Sequence, residues 1–222
     1  MKNKSKIIGI MALAVLSCAL MAVVETVIEP TYAIKSATKI VLFFLLPILV
    51  MKTLKQKPFE SFAAITKRQG VFLLCLGAIV YAVIMGAYLV AQNFFDFSAL
   101  VSSLSSDQKV GAGSFVYVAA YISFGNSLLE EFMFRLICFV TLSKFLPKWA
   151  AYLFSSLSFA LYHVAMIGSA FPLPLVILSV VGLALGGAIF CLVDDRNKNI
   201  YNSWIIHMFA DFAIMTIWFL HI

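Results

Sequence analysis

Residues 128–136 read LLEEFMFRL, which places two adjacent glutamates and an arginine inside one of the most apolar stretches of the chain. An ionised side chain at the centre of a bilayer costs about 3 kcal/mol, so these residues need a structural or a chemical reason to be there. Glu131 and Arg135 are four positions apart and can form an ion pair on one helix face. Glu130 is rotated by about 100° from Glu131 and therefore faces another neighbour.

The composition around this stretch is that of an integral membrane protein. Of the 222 residues, 63% are hydrophobic and 12% are charged, whereas soluble domains average about 25% charged residues. Because a helix needs about 20 apolar residues to cross a bilayer, the sequence predicts an all-α, polytopic transmembrane bundle in the cell membrane. We expect it to form a single domain over 1–222, with about seven spans: 7–28, 34–51, 70–91, 113–143, 150–167, 173–193 and 200–221.

Two glycine-containing segments predict local features of these spans. Gly125-Asn126-Ser127 lies just before the glutamates in a span that is too long for one straight crossing, and it predicts a kink or break. Gly182-x3-Gly186-Gly187 predicts close helix packing in the sixth span.

The distribution of lysine and arginine predicts a cytosolic N-terminus, because cytoplasmic loops are enriched in these residues. With this orientation only Lys35, Lys39 and Lys109 fall outside. The inside cations are Lys2, Lys4, Lys6, Lys52, Lys55, Lys57, Lys67, Arg68, Lys144, Lys148, Arg196 and Lys198. Membrane topology thus explains the net charge of +6. The lipid bilayer is the expected environment, and no nucleic-acid partner is implied.

Few ionisable residues lie within the predicted spans and away from their ends: Glu130, Glu131, Arg135, His163, His207 and Asp211. Counting at 1.5 Å per residue places Glu130 and His163 each about 21 Å from the predicted cytosolic edge, and His207 about 10 Å from it. His207 and Asp211, four positions apart, can face one cavity. Each group alone could be a packing contact, but their convergence favours a catalytic or ion-handling site.

Three motifs in this set resemble those of the CPBP family of intramembrane proteases, the CAAX-protease and bacteriocin-processing (Abi-type) proteins that include type II CAAX prenyl endopeptidases. The motifs are Glu130-Glu131-x3-Arg135, Phe159-x3-His163 and His207-x3-Asp211. They follow the family's order on separate predicted helices, within a core of 113–211. The last position, often Asn in the family, is Asp211 here.

The resemblance implies an endopeptidase acting on a hydrophobic or lipidated peptide or protein. Amide hydrolysis needs an activated water and donors for the oxyanion. Glu130 with His163 would activate the water, and His207 with Asp211 would orient it or stabilise the oxyanion. Glu131, Arg135 and Phe159 would support the site.

Other chemistries use the same or neighbouring residues. Glu130, His163 and His207 could instead hold zinc, but no HExxH motif is present, and we favour a mechanism that requires no cofactor. A Ser127 or Cys138 nucleophile lacks a recognisable spacing to a histidine.

A non-enzymatic immunity or scaffold protein, as in bacteriocin self-immunity, is the main alternative. An ion-coupled transporter is disfavoured because no inverted repeat is visible.

Overall fold

The computed structural model describes residues 2–57, 61–108, 113, 115–168 and 171–221, and within these ranges it contains helices and no strand. This confirms the all-α prediction. Lys109, counted above as an external cation, lies outside the described residues. The helices are α1 (Lys2–Val23, continued by a π-helical turn at Val24–Ile28), α2 (Tyr32–Thr53), α3 (Lys67–Ala91), α4 (Phe97–Gln108), α5 (115–144), α6 (Lys148–Ile167), α7 (Leu173–Asp195) and α8 (Tyr201–Phe219).

Five of these helices, α1, α2, α3, α6 and α7, are long and apolar enough to cross a membrane. They coincide with five predicted spans. The predicted spans 113–143 and 200–221 correspond to α5 and α8, which are helical but do not belong to that group. The count of seven spans and the cytosolic N-terminus therefore stay predictions.

Helix α5 changes its winding around the two glutamates instead of breaking. A π-helical turn at Tyr121–Asn126 is followed by the short α-helical segment Ser127–Glu130 and then by a second π-helical stretch at Glu131–Thr141. The wider turns of a π-helix shift the direction of the side chains that follow, and such insertions occur frequently at functional sites. The kink predicted at Gly125 thus takes the form of a change in helix type.

The chain divides into two compact units. The first comprises Met1–Ala63 and Leu129–Ser203, and the second comprises Ala64–Leu128 and Trp204–Ile222. In the first unit every residue of 130–142 is buried, so the C-terminal part of α5 forms its core. The Ser155 hydroxyl on α6 donates to the Phe134 carbonyl on α5 at 2.7 Å, and this bond fixes the two helices against each other.

Close packing of α6 against α7 depends on Gly187. A Cβ atom added there would lie 3.1 Å from Ser156 Cα, whereas at Gly182 and Gly186 no described atom outside the local helix lies within 4 Å. The predicted close approach is confirmed at Gly187 and was wrong for the other two glycines.

The second unit has a separate apolar cluster of Val101, Phe115, Met215 and Trp218. Near the end of α8, both ring nitrogens of His221 are within hydrogen-bond distance of hydroxyl groups. Tyr88 Oη is 2.9 Å from Nε2 and Ser98 Oγ is 3.0 Å from Nδ1. His221 is therefore accounted for by packing in this unit.

Candidate active site

Glu130 forms a buried ion pair with a lysine from another helix. Its Oε1 lies 2.5 Å from Lys39 Nζ on α2, and the two residues are 1% and 4% exposed. The Lys39 ammonium also lies over the rings of Tyr162 and Phe43, 4.9 and 5.5 Å from their centroids. A carboxylate this deeply buried needs such a counter-charge, because an isolated buried ion costs several kcal/mol.

His163 presents its second ring nitrogen to the same carboxylate. Its Nδ1 lies 2.8 Å from the Phe159 carbonyl oxygen, an atom that can only accept, so Nδ1 carries the hydrogen. The other ring nitrogen, Nε2, lies 3.7 Å from Glu130 Oε2.

Glu131 and Arg135 form the predicted ion pair on α5. Glu131 Oε2 and Arg135 Nε are 3.2 Å apart, and neither side chain is exposed. The guanidinium carbon lies 4.2 Å from the centroid of the Phe159 ring on α6 and 4.7 Å from that of Phe190 on α7. Cation–π contacts of this kind are stronger when desolvated, so this pair ties α5 to both neighbouring helices.

Phe159 connects the ion pair to the catalytic candidate. One ring contacts the Arg135 guanidinium and also packs edge-on against the His163 imidazole, with centroids 4.7 Å apart. Its carbonyl holds His163 Nδ1. The ring and the carbonyl of Phe159 therefore fix the direction of His163 Nε2. This gives the Phe-x3-His motif a structural basis.

His207 and Asp211 lie on α8 in the second unit. His207 Nε2 is 3.8 Å from Asp211 Oδ1, and the side chains are 6% and 16% exposed. The two side chains therefore lie on the same face of α8.

The sequence motifs did not predict a role for two residues, of which the first is Lys39. Lys35 and Lys39, which the predicted topology places towards the outer side, are both buried on α2, with Lys35 Nζ 2.8 Å from Glu25 Oε2. The sequence did contain an indication that Lys39 is buried, because this residue lies well inside the predicted span 34–51.

A second missed residue is Asp194 at the end of α7. It is fully buried and accepts two hydrogen bonds from Ser203, from the backbone nitrogen at 3.0 Å and from the hydroxyl at 2.8 Å. Ser203 lies in the first turn of α8, so Asp194 caps that helix. Its position just beyond the predicted span 173–193 gave no sign of burial.

Glu130 and His163 could supply two ligands to a metal ion. The described part of the chain contains no group of three or more His, Cys, Asp or Glu residues arranged to hold an ion. Glu130 Oε2 and His163 Nε2, 3.7 Å apart, could both reach one zinc ion at about 2.0–2.2 Å. The Lys39 ammonium on the other carboxylate oxygen disfavours a second cation there.

Comparison with known proteins agrees with the motifs. Residues 112–213, just under half of the chain, match the family model described as type II CAAX prenyl endopeptidase Rce1-like. The match confirms the resemblance and includes all three motifs, but not Lys39. The family that this model describes is one of CAAX-type endopeptidases, and the five long apolar helices agree with a membrane protein. No curated protein and no solved structure matched the chain.

Proposed function

We propose that this protein is an intramembrane endopeptidase that cuts a peptide bond in a hydrophobic or lipidated peptide or protein. The observation that carries the proposal is the orientation of His163. Its Nδ1 is held by the Phe159 carbonyl, so that Nε2 faces Glu130 Oε2 at 3.7 Å in the Rce1-like segment. No cofactor is required in this proposal.

The reaction uses a water molecule held between these two groups. Glu130 takes a proton from the water, and the resulting hydroxide attacks the scissile carbonyl carbon. His163 Nε2 orients the water. When the tetrahedral intermediate collapses, Glu130 returns the proton to the leaving nitrogen, so the protons balance. In this scheme His207 and Asp211 orient the water or stabilise the oxyanion.

Lys39 takes part in this scheme as a positioning residue. It binds Glu130 Oε1 and leaves Oε2 directed towards His163. Its positive charge compensates the negative charge of the Glu130 carboxylate. A buried glutamate without a counter-charge would instead take up a proton and become neutral. The Glu130 carboxylate can act as a base only while it is ionised.

The same ion pair favours a second candidate, a non-enzymatic immunity or scaffold protein. A buried lysine held by a carboxylate and two rings is a sufficient packing device without any chemistry. A test must therefore separate the structural use of Glu130 from its catalytic use.

The double variant Lys39→Met/Glu130→Gln makes this separation. Each single change leaves one buried charge unpaired and should cost about 3–5 kcal/mol of stability, whereas replacing both partners is often nearly neutral. We expect the double variant to accumulate close to wild-type level. As an enzyme it should be inactive, because the base is gone.

Comparative membrane peptidomics of wild type and the double variant supplies the readout without assuming a substrate. We expect hydrophobic peptides cleaved in wild-type cells to stay intact in cells with the double variant. A well-folded double variant whose peptide pattern and biological effect equal those of wild type would instead establish the scaffold role.

A further inference from the structure

The first unit contains a basic cavity, apart from the candidate active site, at one end of its helices. It has a volume of about 500 Å³ and is lined by Ser61, Val140, Ser143, Lys144, Lys148 and Lys198. Lys144 lies at the end of α5, Lys148 begins α6, and Lys198 follows α7. All three lysines belong to the cations that the sequence places on the cytosolic side.

Contacts within the protein hold two of the three ammonium groups near each other and fix the third on a neutral side chain. Asp195 binds both Lys148, at 2.8 Å, and Lys198. Lys144 donates to Gln56 Oε1 at 3.0 Å. Among the described residues, the ion pairs of these lysines involve one carboxylate, that of Asp195, and the charge of three lysines exceeds that of one carboxylate.

The Lys148 and Lys198 side chains are 58% and 43% exposed. They can therefore still reach a ligand while they contact Asp195. Ser61 and Ser143 also line the cavity, and the Ser143 hydroxyl donates to the Val140 carbonyl at 3.1 Å.

The surroundings of the cavity indicate which kind of anion binds in it. Trp149, next to Lys148, is 71% exposed and starts a row on α6 in which Leu153, Leu157 and Leu161 are also exposed. Exposed tryptophans are typical of the membrane–water interface, and exposed apolar rows are typical of lipid-facing helices. Lys6, from α1, lies over the Phe145 ring and adds a further cation at this end.

We propose that this cavity binds the phosphate of an anionic phospholipid headgroup from the cytosolic leaflet. Lysine clusters at the cytosolic membrane surface attract anionic lipids, with a gain of about fivefold in binding for each lysine. The phosphate oxygens accept from the three lysines. The acyl chains continue along the exposed apolar surface that begins at Trp149. This inference does not depend on the proposed protease activity.

The test uses the full-length protein in nanodiscs made of phosphatidylcholine alone or of an equal mixture with phosphatidylglycerol. Native mass spectrometry measures which lipid stays bound. The cavity variant replaces Lys144, Lys148 and Lys198 by Gln. The matched control replaces Lys4, Lys52 and Lys67 by Gln, three exposed lysines that the sequence also places on the cytosolic side but that do not line the cavity.

We expect wild type and the control to retain phosphatidylglycerol selectively. In the cavity variant, the retention of phosphatidylglycerol should fall at least about tenfold. Because removing two lysines leaves Asp195 without its partners, the single variant Lys144→Gln serves as a second probe. It keeps both contacts of Asp195 and should lose about fivefold.

Equal lipid retention by the cavity variant and the control overturns the proposal. So does inorganic phosphate that displaces the bound phosphatidylglycerol at millimolar concentration, since the cavity would then be a site for the free anion.

Discussion

Glu131 and Arg135 show how this chain tolerates charge in its interior. Neither side chain is exposed, and the guanidinium lies between the rings of Phe159 and Phe190. We predict that Glu131→Gln lowers the free energy of unfolding by about 3–5 kcal/mol, because the change leaves Arg135 buried without its counter-charge. Thermal unfolding of the purified protein in detergent measures this loss.

The matched control for this prediction is the double variant Glu131→Gln/Arg135→Met. It removes both charges and should recover part of the stability, although the cation–π contacts with Phe159 and Phe190 are lost. Normal accumulation and an unchanged melting temperature for Glu131→Gln alone would show that the ion pair is not a structural element.

Pairs within one helix could be predicted from the sequence, whereas the partner of Glu130 could not. Glu131 with Arg135 and His207 with Asp211 follow from helical periodicity, and the structure confirms both. The approach of His163 to Glu130 agrees with the equal depth calculated from helix rise. Lys39 is separated from Glu130 by 91 positions, and no local pattern specifies a contact across that distance.

At the scale of the helices, Gly187 controls how closely α6 and α7 approach. An added Cβ would lie 3.1 Å from Ser156 Cα and 3.5 Å from Arg135 Nη2. We predict that Gly187→Ala destabilises the protein by about 1–3 kcal/mol, because the backbone of α6 would have to shift. Thermal unfolding and accumulation in membranes are the measurements.

Gly186→Ala is the control on the same helix. No described atom outside the local helix lies within 4 Å of its added Cβ, so this change should be neutral, or stabilising by up to about 1 kcal/mol through helix propensity. If the two alanine variants have the same melting temperature, the contact at Gly187 does not limit helix packing.

The helices themselves were predictable because length and apolar composition suffice to identify them, as α1, α2, α3, α6 and α7 show. The winding of α5 was not predictable. Its π-helical turns at Tyr121–Asn126 and Glu131–Thr141 depend on how buried side chains pack, and a glycine in the sequence indicates only that a distortion is possible. The packing role of Gly187 over Gly186 likewise depends on which helix lies opposite.

At the scale of the whole molecule, the cation distribution predicts a cytosolic N-terminus. The burial of Lys35 and Lys39 in ion pairs removes two of the three exceptions to this asymmetry. We predict that Lys57→Cys is protected from a membrane-impermeant thiol reagent in intact cells and that Asn93→Cys is labelled. Both positions are exposed. The background replaces Cys75, the exposed native cysteine among four, by Ser. Labelling of Lys57→Cys from outside intact cells would contradict the predicted cytosolic N-terminus.

Whether peptide cleavage requires a metal ion can be tested only with the whole purified protein. If Glu130 and His163 activate water without a metal, the purified protein keeps its cleavage activity after exhaustive chelation. We predict this outcome because the Lys39 ammonium already neutralises the Glu130 carboxylate. In the same mechanism His207→Ala should retain measurable activity, reduced about 10²–10³-fold as for a lost oxyanion donor.

The zinc alternative predicts different behaviour for the same samples. Chelation would then abolish cleavage, added Zn²⁺ would restore it, and His163→Ala or His207→Ala would each remove bound metal. His221→Ala is the control histidine, since its ring nitrogens contact Tyr88 and Ser98 in the second unit and its loss should leave both activity and metal content unchanged. Stoichiometric zinc in the wild-type protein that disappears together with activity would contradict the metal-free mechanism. Residual activity in His207→Ala that survives chelation would contradict the zinc mechanism, because a zinc site that lacks one of its three protein ligands no longer holds its catalytic water in place.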